Sequence, residues 1–150
     1  MKWIILAGSS NTRKTWTLTE VVIALVKTCG GQLVSPSLLP IPHPPVSPQK
    51  WPYYNDGIYE IRYSGKVIVV KTGGDTPWVV DDGYKTAIGL NADVLISAAH
   101  AKSGSNHVKA IDSKITSNAV DVFVIAALDH SRATMPLIVK WRVQQIIDML

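Results

Sequence analysis

Cysteine is nearly absent: Cys29 is the only one in 150 residues, so no internal disulfide can form. The four histidines are scattered, and no Cys/His cluster has metal-ligand spacing. No apolar run is long enough to span a bilayer, and no basic-then-apolar leader opens the chain. The expectation is a cytoplasmic protein with no membrane attachment and no structural metal. Charge is also sparse, at 17% of residues against 47% hydrophobic, which suits a single globular domain over 1–150 with a sizeable core. The net charge is +4 and the pI about 9.2. The basic residues form no stripe with aromatics, so solvated surface charge is expected and a nucleic-acid partner is not. No internal repeat is visible.

What is present alternates. Lys2 to Ala7 reads as a buried strand entering a turn at Gly8. Leu18, Val21, Val22, Leu25, Val26 and Cys29 then recur at helical spacing until Gly30 and Gly31 stop the helix. Gln32 to Val34 begins a second strand. Seven of the nine prolines fall in an excursion at 35–52, where neither a helix nor a central strand can persist. This segment is expected to be a stiff connector, with docking to a partner protein as the alternative.

"GIYEIRY", "SG" and "KVIVVK" read as a hairpin. Its first arm alternates like an outer strand, and its second is apolar throughout Val67 to Val70, like a central one. "WVVDDGYKTAIGL" is expected to be a helix, "ADVLISAA" a buried strand and "VKAIDSKITSNA" a helix. "VDVFVIAAL" is expected to be another buried strand. The closing helix is expected to turn Leu137, Ile138, Trp141, Ile146, Ile147 and Leu150 inward. The pattern predicts an α/β three-layer sandwich with a mainly parallel sheet and one inserted hairpin making an antiparallel edge. Ligands bind beyond the carboxyl ends of such strands, where the loops 8–15, 71–77 and 98–107 fall.

The first of these loops reads "GSSNTRKT", close to the phosphate-binding pattern G-x-x-x-x-G-K-[ST]. A helix N-terminus preceded by small polar residues offers backbone N–H groups to an anion. In that reading Gly8, Ser10, Asn11, Thr12, Arg13, Lys14 and Thr15 bind phosphates, Lys14 also serves catalysis, and Thr15 holds a bridging Mg²⁺. "LAGSSNTRKTWTLTEVV" resembles the Walker A segment of P-loop nucleoside triphosphatases, notably small single-domain members, and the similarity extends through most of residues 1–106. The resemblance implies a P-loop NTPase-like fold that binds ATP or GTP with Mg²⁺, acting as a weak triphosphatase or small kinase-like phosphotransferase if it is an enzyme.

Two departures stand out. Arg13 replaces the glycine before the lysine, at a cost of about 1 kcal/mol or more if that position needs a positive φ. Lys71 occupies the strand end where triphosphatases place a magnesium-directing Asp. Asp75, four residues on, either contacts the Mg²⁺ shell or orients the acceptor, as a catalytic residue, or belongs to the N-cap region of the helix starting at Pro77. His100, Lys102, Ser103, His130 and Arg132 are expected to be ordinary loop residues. His43 has no visible chemical partner, and Asp81 and Asp82 are expected on a solvated face. Two other functions remain open. One is a catalytically inactive scaffold that captures a partner through the proline-rich segment. The other is a flavodoxin-like FMN reductase, whose first loop shares "GSS" and "NTRK".

Overall fold

The computed structural model describes residues 1–9, 12–41, 54–73, 76–100, 106–117, 120–128 and 134–150. The proline-rich segment from 42 to 53 therefore lies outside the described residues, as do Ser10, Asn11, Asp75, Lys102, Ser103, His130 and Arg132.

The chain runs β1 (Lys2–Gly8), α1 (Lys14–Lys27), β2 (Gln32–Ser35), β3 (Ile58–Tyr63), β4 (Lys66–Lys71), α2 (Pro77–Gly89), β5 (Val94–His100), α3 (Asn106–Ser117), β6 (Asp121–Ala126) and α4 (Met135–Asp148). The strands form one six-stranded sheet in the order β2-β3-β4-β5-β1-β6. β4, β5, β1 and β6 are parallel, whereas β3 runs antiparallel to both β4 and β2. The β3–β4 turn places Ser64 and Gly65 both at positive φ, 52° and 76°, matching the hand of the twisted strands it joins.

Alternation along the strands divides the core in two. Ile4, Leu6, Ile68, Val70 and Ile96 point to the face covered by α1 and α4. Trp3, Ile5, Val69 and Leu95 point to the face where α2 supplies Val80, Tyr84 and Ala87, with α3 contributing Ile111 at its margin. Helices on both faces of the sheet give the three layers. On α1 the expected stripe is the one that packs: Leu18, Val21, Val22 and Leu25 are fully buried. α4 is tied down at its C-terminal end, where Lys2 Nζ donates to the Met149 carbonyl (2.8 Å) and Lys66 Nζ to that of Leu150.

Three expectations fail in detail. β6 is an edge strand, with Phe123 and Val124 41% and 64% exposed, because apolar content alone does not separate a central strand from an edge. β3 lies one strand in from its edge, because β2 pairs outside it. α4 departs from the expected orientation in its first two turns, while Ile146, Ile147 and Leu150 pack inward as expected. Leu137 and Trp141 face outward, 69% and 61% exposed, while Met135, Val139, Arg142 and Ile146 face inward. Turning a cation inward is offset by the backbone carbonyls it meets there. Truncating the α1 stripe should show where the core's stability lies: Leu18→Ala should cost about 2–5 kcal/mol, read as a lowered urea midpoint with an unchanged slope.

Candidate functional site

β1 leaves the sheet toward α1 on one face, and β5 leaves toward α3 on the other. The two strands are neighbours, with Gly8 and His100 in register at their ends. Divergent exits make this the topological switch point of the sheet, the place where open α/β sheets take their ligands.

The chain leaves β1 there by a turn built around Lys14. Its ammonium is buried and donates to the Gly8 carbonyl (3.1 Å) and the Ser9 carbonyl (2.6 Å), and it lies 3.4 Å from the Thr12 hydroxyl. Thr12 is itself buried, and its hydroxyl donates back to the Ser9 carbonyl (2.9 Å). Thr12 therefore braces the turn from inside. Gly8 has a packing reason to be glycine, since the Ala127 carbonyl occupies the space a Cβ would need.

Arg13 is the N-cap of α1 and takes a left-handed conformation, φ 59° and ψ 35°. The backbone thus adopts at an arginine the conformation that favours glycine, at a cost of about 1 kcal/mol. The Arg13 side chain makes no capping bond to α1, and the first turn of the helix carries no acidic residue.

Behind the turn lies Arg142, almost fully buried on α4, which donates to the Thr12 carbonyl (3.0 Å) and the Leu128 carbonyl (2.6 Å). No carboxylate pairs with it among the described residues. Burial lowers its pKa from the ordinary guanidinium value, but a guanidinium remains charged at neutral pH. The site thus gathers two buried cations behind a helix N-terminus, and such a field favours an anion.

Thr15 faces outward on the first turn of α1, its hydroxyl 3.4 Å from Asp56 Oδ1. Asp56 is held by its neighbours. The Tyr54 hydroxyl donates to Glu20 on α1 (3.0 Å), and Trp16 Nε1 donates to the same carboxylate oxygen (3.3 Å). The Gly57 N–H donates to the Thr72 hydroxyl (2.9 Å), and the Thr72 N–H donates to the Gly57 carbonyl (3.0 Å).

Lys71 points the other way. It sits with Val69 on the α2 face, 3.5 Å from Asp82. Asp81 pairs with Lys114 of α3 (3.2 Å), so these two acids, on the solvated face expected of them, also tie helix to strand and helix to helix. The N-cap of α2 is Thr76, which makes no side-chain capping bond. Among the described residues no group of three His, Cys, Asp or Glu is placed to hold a metal ion.

Of the expected site residues, Gly8, Thr12, Arg13, Lys14 and Thr15 come together at the turn, while Ser10, Asn11 and Asp75 lie outside the described residues. Two participants were missed. Asp56 could have been noticed in "NDGIYE", an acidic turn residue directly before a strand that ends beside α1. Arg142 shows as a charge at a core position of a helical repeat. Comparisons of the chain with protein-family models, curated proteins and solved structures find no match.

Two outcomes follow from this geometry. Arg13→Gly should raise stability by roughly 0.5–1 kcal/mol in urea melts, because glycine takes the left-handed conformation without strain. Tyr54 is held protonated by burial, by its hydrogen bond to Glu20 and by that carboxylate's charge, which push its pKa up to about 12. An unfolded tyrosine ionises near pH 10, so this contribution is complete below about 10 and lost as the pH rises toward 12. Tyr54→Phe should remove one late-titrating phenol from the ultraviolet titration and flatten the stability loss over that window.

Proposed function

We propose that the chain binds a purine nucleoside triphosphate, ATP or GTP, with Mg²⁺, its phosphates seated over the turn between β1 and α1. The observation that carries this is the left-handed Arg13 directly ahead of the buried Lys14, at the start of α1. Arg13 holds the left-handed conformation that a glycine usually supplies ahead of such a lysine, which supports the reading. The N–H groups of the first turn of α1 supply donors. Lys14 supplies a charge already inside the loop, where it can exchange carbonyl partners for phosphate oxygens. Thr15 supplies a hydroxyl for the cation.

Phosphoryl transfer or hydrolysis is expected to be slow. Lys71 is engaged with Asp82 on the opposite face, so the end of β4 brings no carboxylate of its own at that position. The flavin reading loses support from the sheet. Flavodoxin-like sheets run 2-1-3-4-5, with the second strand beside the first, whereas here β5 and β6 flank β1. The inactive-scaffold reading rests on residues 42–53, outside those described.

A saturating nucleotide at about a hundred times its Kd adds about 2.7 kcal/mol of stability, several degrees in Tm for a chain of this size. ATP or GTP with Mg²⁺ should produce that shift, and Lys14→Ala should abolish it in protein that still melts cooperatively. No shift with any nucleotide would sink the reading.

A further inference from the structure

We propose that Asp56 is the carboxylate that holds the nucleotide's divalent cation, jointly with Thr15. The inference rests on the nucleotide reading above and assigns to the segment before β3 a task expected of the end of β4.

At the strand end the carboxylate is replaced by Lys71, and the two-residue alternation of β4 sends that side chain to the α2 face. The next residue, Thr72, is fully buried, and its hydroxyl and N–H are both bonded to Gly57. That pairing delivers Asp56, one residue earlier, to the carboxyl edge of the sheet. Its carboxylate lies directly against Gly73, where a Cβ would collide with it. On the other side the Tyr54–Glu20 hydrogen bond fastens the same segment to α1. The result is a carboxylate oxygen of the exposed Asp56 3.4 Å from the hydroxyl of the half-buried Thr15.

The donor set suits a hard cation. Mg²⁺ is commonly bound by one or two carboxylates together with substrate phosphates and water, and needs no cage made wholly of protein. Adjacent ligands of an octahedral ion at about 2.1 Å stand about 3 Å apart, so Asp56 and Thr15 need to shift only slightly to share one. The pair would then complete its coordination from the nucleotide.

Electrostatics gives the proposal an unusual signature. Without a cation Asp56 repels the phosphates, and with one it anchors them. Calorimetric titration of ATP and GTP, each in EDTA and in excess Mg²⁺, should be run on the wild-type chain and on Asp56→Asn. In the wild type Mg²⁺ should tighten binding. In Asp56→Asn the metal-free affinity should equal or exceed that of the wild type, while Mg²⁺ tightening should fall by at least about tenfold. Retained metal-free binding also reports that the variant is folded. If the wild type binds nucleotide and Asp56→Asn keeps its full Mg²⁺ dependence, the assignment of Asp56 is overturned and the nucleotide reading stands. If the wild type binds no nucleotide under either condition, both fall together.

Discussion

The turn from β1 into α1 is held from two sides by cations, and most of the site depends on that arrangement. Lys14 pulls the Gly8 and Ser9 carbonyls inward, and Arg142 pulls the Thr12 carbonyl backward toward α4. The same two bonds explain the orientation of α4, because Arg142 can reach Thr12 and Leu128 only when its helical face is the inner one. A buried guanidinium satisfied by neutral carbonyls costs more than one matched by a carboxylate. Its positive potential remains available to whatever approaches the turn.

A second constraint is the alternation of side chains at the ends of the parallel strands. It assigns Lys71 to the α2 face and Thr72 to the α1 face, with no freedom to exchange them without a register slip. One face at the end of β4 therefore carries an ion pair that fastens a helix, and the other carries a clamp on the chain entering β3. Asp56 owes its position to this division. Asp81 and Asp82, adjacent on α2, likewise tie that helix to α3 and to β4 respectively.

The strands, the helices and the first polar loop were legible because each rests on local pattern: apolar runs, a helical stripe from Leu18 to Leu25, and glycine-marked turns. Leu137 and Trp141 were misplaced because one helix carries more apolar residues than one face can bury, and periodicity does not say which face wins. β6 was expected to be buried because an edge strand with a continuous apolar run differs from an inner one only in its neighbours. Asp56 was legible only as an acidic turn residue ahead of a strand, not as a neighbour of α1. It is 41 residues from Thr15, and its relevance exists only once β3 and α1 are side by side.

By itself the sequence determined an α/β chain with a polar, lysine-bearing turn at a helix start, because backbone periodicity and turn chemistry are local. It also set the question at Arg13, whose conformation depends on its surroundings. Only the tertiary structure decided that Arg13 is left-handed, that Arg142 braces the turn, and that Asp56 rather than residue 71 meets Thr15. The reason is physical: each of these depends on groups far apart in sequence, which come within hydrogen-bond reach only after the sheet has fixed its strand order.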